Sequence, residues 1–286
     1  MKIRRLSNID PEFPSAFKHL PQPPREVFAL GANLNDLLKK PAVSIVGSRK
    51  VTPYGRTVTQ QLAGELARTG VVIISGLALG VDSIAHQAAL DAGGLTIAVL
   101  PTGLENIYPR SHYFLAKSIL EKGGALITEY KTAEAPPRYN FIARNRLIAA
   151  LGQGVLIPEA AQKSGSLHTA RFALEQGIEV LSVPGNITSY TSQGTNNLIK
   201  AGAKTVTSVQ DVFEALNIDS AELTQTAFAG TAEEQAILDL LKEGVDEASE
   251  LLVRSRLQPS DFNQALTMLE INAQIRSIGG GRWTIR

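Results

Sequence analysis

The sequence of 286 residues contains no cysteine, one tryptophan and almost no excess charge, with 28 Lys and Arg against 27 Asp and Glu. Without cysteine, the chain has no disulfide, no thiol nucleophile and no thiolate ligand for zinc or an iron–sulfur cluster. The net charge of +1 excludes binding of a polyanion through overall basicity, so such a partner would need a local basic patch.

Long apolar runs are also missing, since none approaches the ~18 residues that a membrane span requires. The N-terminal Met1–Arg5 continues into polar Ser7–Asp10 instead of the apolar core of a signal peptide. We therefore expect a cytoplasmic protein that makes no contact with a membrane. The length is sufficient for one large domain, or for a medium domain with a small second one.

Short apolar runs rich in β-branched residues alternate with amphipathic stretches from about residue 42 to 215. Such runs are typical of strands buried on both faces of a parallel sheet. Repeated βα units predict an α/β fold with a doubly wound sheet and right-handed crossovers. The predicted strands are Ala42–Val46, Val71–Ile74, Leu95–Leu100, Ala125–Ile127, Val155–Ile157 and Val180–Val183. The predicted helices are Thr57–Thr69, Ser83–Ala92, Ser111–Glu121, Asn145–Leu151 and Ser166–Gln176.

Three segments flank this domain, which we assign to residues 42–216. Residues 1–41 include a proline-rich stretch, and we expect them to form an N-terminal extension packed on the sheet. The polar, Ala- and Thr-rich residues 217–230 are the predicted linker. In residues 231–286, three short helical patterns precede two short strands around a triple-glycine turn, which is the pattern of a winged helix.

Two glycine-containing loops follow predicted strands, at the sheet edge where open α/β folds bind ligands. In the first, Gly47 permits close backbone approach, Ser48 offers a hydroxyl, and Arg49 and Lys50 supply cations. In the second, the backbone after Ser75 and Gly76 can form a nest for an anion. An equally good interpretation is that these glycines only permit tight turns. The sequence contains neither G-x-G-x-x-G nor the Walker motif, so we expect no tightly held nucleotide and no cofactor.

Residues 136–146 concentrate arginine, aromatic and amide side chains before a predicted helix. Arginines neutralise phosphates and an exposed ring stacks on any base, and these are the two requirements of sequence-tolerant single-strand binding. The candidate residues here are Arg138, Phe141, Arg144, Asn145 and Arg146, with Tyr139 as a second ring. In the alternative interpretation, Phe141 is ordinary core and Arg144 and Arg146 pair with Glu129 or Glu159.

A fourth loop adds one cation and small donors at a helix start, through Lys163, Ser164, Gly165 and Ser166. We expect the four loops to meet in one groove that tracks phosphates. The four histidines show no metal-ligand spacing, so no metal site is predicted. His86 follows Asp82 at helical spacing, and we expect it to be the structural partner of that carboxylate.

At these four loops the sequence resembles the DNA-processing protein A (DprA/Smf) family. The matching motifs are Ile45–Lys50 with Thr52–Gly55, Ser75–Asp82 with Ala85-His86, Arg144–Ala149, Lys163–Leu167 with Thr169–Arg171, and Val183–Gly185. The resemblance runs from about residue 10 to 213, and the winged-helix pattern extends it to Arg286. Leu79 departs from it, because many members carry a basic residue there.

The resemblance implies an extended Rossmann-like domain that binds single-stranded DNA, forms homodimers and helps to load the RecA recombinase in natural transformation. It further implies that Arg49 holds a phosphate, that Arg138 occupies a basic phosphate-ligand position, that Phe141 stacks on a base, and that Lys163–Ser166 continue the pocket. No enzymatic activity is expected, because no nucleophile elbow or carboxylate pair is present.

An enzymatic alternative is a nucleotide phosphoribohydrolase on the similar scaffold of the lysine-decarboxylase-like family. That family uses a Pro-Gly-Gly-x-Gly-Thr-x-x-Glu loop, whereas Ser164–Ala170 has no Glu at the required place. The winged helix has an alternative of its own. Its expected recognition helix, Pro259–Glu270, carries two acidic residues and no Lys or Arg, which favours protein contact over sequence-specific DNA readout.

Overall fold

The computed structural model describes residues 2–131, 136–219, 231–271 and 274–285. The chain divides into two compact units, residues 1–227 and 228–286. The predicted linker, 217–230, lies outside the described residues from position 220 onward. No helix in the described part of the chain is both long and apolar enough to cross a bilayer.

The first unit is built on a nine-stranded sheet with helices on both faces. Its strands are β1 Arg4–Ser7, β2 Glu26–Gly31, β3 Ala42–Ile45, β4 Val72–Ser75, β5 Thr96–Val99, β6 Ala125–Thr128, β7 Gly154–Ile157, β8 Glu179–Ser182 and β9 Lys204–Thr205. Its helices are α1 Ser15–Lys18, α2 Leu34–Leu38, α3 Pro53–Arg68, α4 Val81–Asp91, α5 Tyr113–Glu121, α6 Arg138–Leu151, α7 Ser166–Glu175, α8 Gln193–Lys200 and α9 Val209–Leu216. Short 3-10 turns, Arg110–His112 and Tyr190–Ser192, precede α5 and α8.

The strand order is β1-β2-β6-β5-β4-β3-β7-β8-β9. Strands β3 to β9 run parallel, whereas β1 and β2 are antiparallel to their neighbours. The order within β5-β4-β3-β7-β8-β9 is that of a Rossmann fold, whose topological switch point lies between the first and fourth strands. Here those strands are β3 and β7, so the loops that follow them flank the crevice.

The sheet is apolar on both faces because alternate residues of its central strands pack into separate cores. In β4, Val72 and Ile74 lie in the core beneath α6 and α7, whereas Ile73 lies in the core beneath α3 and α4. This double burial explains why the strands are recognisable as continuous apolar runs. The doubly wound, mostly parallel fold is confirmed.

Two parts of this unit differ from the sequence-based expectation. Residues 1–41 do more than pack on the sheet, because β1 and β2 supply two of its strands. Helix α6 begins at Arg138 instead of Asn145, so the arginine-rich segment lies within the helix and not before it. The two prolines at 136 and 137 explain the start, since proline favours the first turn of a helix and the residue before a proline is extended.

The second unit contains helices α10 Ala232–Lys242, α11 Ala248–Ser255 and α12 Pro259–Ile271 and the hairpin β10 Ile275–Gly279 with β11 Arg282–Ile285. The glycines at 279, 280 and 281 all have positive φ, the conformation that a tight hairpin turn requires. A separate core, which includes Ile237, Leu251 and Leu269, holds the unit together. Three helices and a terminal hairpin confirm the predicted winged helix.

Candidate nucleic-acid interface

A cavity of about 780 Å³ opens at the carboxyl edge of the parallel strands, beside the switch point. Its lining includes residues from the loops after β3 and β7 and from α6. Of the residues predicted from the sequence, the cavity is lined by Gly47, Ser48, Arg49, Lys50, Arg138, Phe141, Arg144, Asn145, Lys163, Ser164, Gly165 and Ser166. Segments more than 100 residues apart in the chain thus meet in one place.

The loop after β3 is held rigidly on both sides. The Ser48 amide donates to the carbonyl of Glu159 at 2.8 Å, and the Ser48 carbonyl accepts from the amide of Val81 at 3.1 Å. Gly80, at φ +83°, lies so close that a Cβ there would sit 2.2 Å from the Ser48 carbonyl oxygen. These backbone contacts fix the position from which Arg49 extends into the cavity.

Arg49 lies over an aromatic ring. Its guanidinium carbon is 5.0 Å from the centroid of Phe141, within the range of a cation–π interaction. The same ring meets Tyr108 edge to face, with centroids 5.5 Å apart and an interplanar angle of 70°. Phe141 is half-buried, so it is neither ordinary core nor a freely exposed ring.

Four cations that line the cavity are exposed: Arg49, Lys50, Arg138 and Lys163. None of the ion pairs within the described residues involves any of them. Beside Lys163, the hydroxyls of Ser164 and Ser166 are 2.8 Å apart at the start of α7. Unpaired cations, hydroxyls and a helix N-terminus together form a suitable environment for phosphate.

Arg144 lines the same cavity but is only 3% exposed. Its guanidinium donates to the carbonyl oxygens of Gly76, at 2.8 Å, and Val99, while Nε donates to Asn145. Burial lowers its pKa to about 10, although the charge of Asp82 opposes that shift. Arg144 is therefore charged at neutral pH, and its Nη1 and Nε donors are engaged by the protein's own atoms.

The loop after β4 binds a carboxyl group of the same chain, that of Asp82. The Gly76 amide donates to the carboxylate of Asp82 at 3.1 Å, and the Ser75 hydroxyl donates to the carbonyl of Ile45 at 2.6 Å. Burial raises the pKa of Asp82, and the charge of Arg144 partly opposes the rise. The nest predicted from the sequence is thus occupied by a carboxylate of this chain, and Ser75 and Gly76 lie outside the lining of the large cavity.

Arg146 is also turned away from the cavity. It forms a two-pronged ion pair with Glu129, with nitrogen–oxygen distances of 2.9 and 2.6 Å, and donates to the carbonyl of Gln22. The helical geometry of α6 explains this separation, because residues 138, 141, 142 and 145 recur every three or four positions and share one face. The alternative interpretation of Arg146 as the partner of Glu129 is confirmed.

His86 does not pair with Asp82, so that prediction was wrong. Its Nδ1 lies 2.6 Å from the hydroxyl of Thr96, and that hydroxyl donates its own hydrogen to the carbonyl of Ile73. Nδ1 is therefore the protonated nitrogen, and Nε2 is buried without a partner. Burial lowers the pKa of His86 to about 3.

Tyr108 and Tyr190 also line the cavity, although no sequence motif indicated them. Both lie in loops after strands, at β5 and β8, so their place on the carboxyl edge follows from the topology once the strand order is known. Tyr139, considered as a second ring, is not among the lining residues. Within the described residues, no three His, Asp or Glu side chains cluster as metal ligands would.

Comparison with known proteins places this geometry in a family. The model of "DNA recombination-mediator protein A" matches residues 4–217, and that of "DprA winged helix domain" matches residues 221–281. Protein Smf of Escherichia coli is 49% identical over 61% of this chain and 46% of its own length, so the chain aligns with about half of that relative. The DNA processing protein DprA of Bacillus subtilis is 39% identical over 75% of this chain and 71% of its own.

Two solved structures share the fold. DNA processing protein A of Streptococcus pneumoniae superposes with a TM-score of 0.69 at 40% identity, covering 75% of this chain and 74% of the other. DNA processing protein A of Helicobacter pylori, whose structure addresses its single-stranded DNA binding mode, gives a TM-score of 0.67 at 37% identity over 76% and 96% of the two chains. The resemblance found in the sequence is confirmed, and the chain belongs to the DNA recombination-mediator protein A family.

Proposed function

We propose that this protein binds single-stranded DNA in the cavity at the switch point. The observation that carries the proposal is the meeting of Arg49, Arg138 and Lys163, three exposed cations from distant segments, around the half-buried ring of Phe141. Sequence-tolerant binding of a single strand combines cations along the sugar–phosphate backbone with aromatic rings on which any base can stack. The binding mode of the Helicobacter pylori relative supports the same class of ligand.

The contact between Arg49 and Phe141 suggests how the site accepts a strand. An exposed cation–π pair is worth only about 0.5–1 kcal/mol, whereas a charge-assisted hydrogen bond contributes about 1.5–3 kcal/mol. A phosphate therefore draws the guanidinium away from the ring, and the uncovered face accepts a base. The free protein keeps both groups in contact, which orders them before the strand arrives.

Arg144, Asn145 and Gly76 act indirectly in this proposal. The buried guanidinium ties the loop after β4 to the end of β5 and holds α6 against both. Its charge is offset by Asp82, so it adds little attraction for a polyanion. The phosphate contacts come from the exposed cations.

We propose that the protein binds DNA and is not an enzyme. Asp82 is the one carboxylate among the described residues that line the cavity, and it is buried and bonded to the amide of Gly76. Glu159, behind the cavity, accepts from the backbone and hydroxyl of Thr52. Neither is placed to attack or protonate a nucleotide, so we expect no release of base from nucleoside monophosphates.

The family supplies the wider part of the proposal. We infer that the protein acts in DNA processing as a cytoplasmic homodimer, and that it helps to load RecA on incoming single strands during natural transformation. The names of the relatives, DNA processing and recombination mediation, support this role. The RecA role is tested by measuring RecA nucleation on single-stranded DNA with and without the protein. The homodimer is tested by sedimentation of the free protein.

The decisive experiment compares binding of oligo-dT and of a duplex by gel shift at two salt concentrations. Arg49→Ala and Arg138→Ala should each weaken binding of every single-stranded sequence and reduce the slope of log affinity against log salt by about 0.7. Arg171→Ala is the matched control, since Arg171 is an exposed arginine paired with Glu175 on α7. Unchanged binding in both cavity variants would refute the proposed site.

A further inference from the structure

Two tyrosines with exposed rings lie on the lining of the cavity. Tyr108 is 41% exposed and Tyr190 is 61% exposed, and both line the cavity together with the exposed cations. A single exposed aromatic side chain is common on protein surfaces. Here two exposed tyrosines line one cationic cavity, and the contact between Arg49 and Phe141 does not explain them.

The two tyrosines belong to loops that follow strands on opposite sides of the switch point. Tyr108 follows β5 and Tyr190 follows β8, and the order β5-β4-β3-β7-β8 separates these strands by four intervals. With ~4.8 Å between neighbouring strands, β5 and β8 lie about 19 Å apart. Arg49 follows β3 and Lys163 follows β7, two strands that lie between β5 and β8.

In the loop after β5, Tyr108 offers a more exposed ring than Phe141 does. Phe141 is half-buried with Arg49 over it, and it meets Tyr108 edge to face. Tyr108 is supported by that contact while much of its surface stays open to the cavity. A base can therefore reach Tyr108 without displacing Arg49.

In the loop after β8, Tyr190 extends from a well-anchored turn. The amide of Ser192 donates to the carbonyl of Ser189, and the amide of Gly194 donates to the carbonyl of Ala160 at 2.8 Å. The second bond ties the start of α8 to the loop after β7, which carries Lys163. The position of Tyr190 relative to that cation is thus fixed by the backbone.

From these observations we infer that Tyr108 and Tyr190 are base-stacking residues, in addition to Phe141. The inference rests on the proposed function and extends it from a single pocket to a track with a stacking ring from each side of the switch point. The strands from which the two loops start lie about 19 Å apart, which is the length of five or six nucleotides stacked at 3.4 Å. The cations that follow β3 and β7 contact the intervening phosphates.

The test measures the affinity of the parent and of Tyr108→Ala, Tyr190→Ala and the double variant for a 20-nucleotide oligo-dT, by fluorescence anisotropy at several salt concentrations. Each alanine variant should bind about 5- to 150-fold more weakly, the loss expected for one stacked base. The salt slope should not change, because no charge is removed. The two losses should multiply in the double variant, because the rings come from separate loops and each stacks on its own base.

Three controls make the result specific. Tyr108→Phe and Tyr190→Phe keep the ring and should bind as the parent does, and Tyr113→Ala removes an exposed tyrosine that does not line the cavity. An oligonucleotide of the same length without bases should bind the parent and the double variant equally. Failure of the parent to bind oligo-dT would refute the proposed function. Parent-like binding by both alanine variants, or equal loss in the phenylalanine variants, would refute this inference alone.

Discussion

The residue that decides the local geometry of the site is Arg144. It is buried, bonded to the carbonyls of Gly76, after β4, and Val99, at the end of β5, and close enough to Asp82 for each group to influence the pKa of the other. A charged arginine in this position is costly unless its donors are satisfied. Here the bonds from Nη1 make it a brace between the loop after β4 and the end of β5, and the residue type alone does not distinguish this role from phosphate binding.

Gly76→Ala should destabilise the first unit, because a Cβ at this position would lie 2.6 Å from the Arg144 guanidinium. Overpacking of a closed site costs about 1–3 kcal/mol, and urea unfolding would measure the loss. Gly165→Ala is the control, since a Cβ there meets nothing within 4 Å and its φ of −64° suits alanine. Equal stability of the two variants would contradict the proposed packing of Arg144.

His86 should make the stability of the first unit depend on pH. Its pKa is lowered to about 3 by burial, so the unfolded chain binds a proton that the folded chain refuses between pH 6.5 and about 3. The contribution of the neutral imidazole is thus complete above pH 6.5 and is lost as the pH falls. From pH 7 to 5 the loss should be about 2 kcal/mol.

Urea unfolding of the parent and of His86→Asn at pH 7 and pH 5 would measure this effect. The asparagine amide keeps a donor for Thr96 and does not titrate. The parent should lose about 2 kcal/mol more than the variant between the two pH values. An equal loss in both proteins would show that another group carries the acid sensitivity.

At the scale of elements, the start of α3 depends on one buried carboxylate. Thr52 caps the helix by accepting from the amide of Gly55 at 3.1 Å, and its own amide and hydroxyl donate to Glu159. Glu159 is 1% exposed, and a Cβ at Gly55 would collide with its carboxylate at 2.6 Å. The helix, its cap and the loop after β7 are therefore held as one structure.

Thr52→Ala should destabilise the protein by about 2–4 kcal/mol, because it removes the cap, worth about 1 kcal/mol, and one donor to a buried carboxylate, worth about 1–3 kcal/mol. Thr57→Ala, at an exposed position of the same helix, is the control and should change little. Thermal or urea unfolding measures both variants. If Thr52→Ala behaved as Thr57→Ala, the bonds to Glu159 would contribute nothing to stability.

At the scale of the whole molecule, the two units have separate cores. The core of the second unit contains residues from its own helices and hairpin, and Leu269 is fully buried there. Leu269→Ala should therefore destabilise residues 231–285 by about 2–5 kcal/mol, while affinity for oligo-dT stays at the parent value. Hydrogen exchange resolved along the chain would locate the loss.

Met268→Ala provides the matched control on the same helix, since Met268 is 39% exposed and should tolerate the change. Loss of exchange protection in the first unit of Leu269→Ala, or weakened binding of oligo-dT, would contradict the assignment of Leu269 to the core of the second unit alone.

The α/β class, the parallel strands and the winged helix follow from the sequence alone, because strands buried on both faces are continuous apolar runs and the triple glycine at 279–281 fixes a turn. The sequence also identified Gly47–Lys50, residues 138–145 and Lys163–Ser166, which meet at the cavity. The fold sets the orientation of each arginine, since Arg138, Arg144 and Arg146 are the same residue type but point in different directions from α6. It also sets the partner of His86 and the positions of Tyr108 and Tyr190, because these depend on strand order and on contacts between residues distant in the chain.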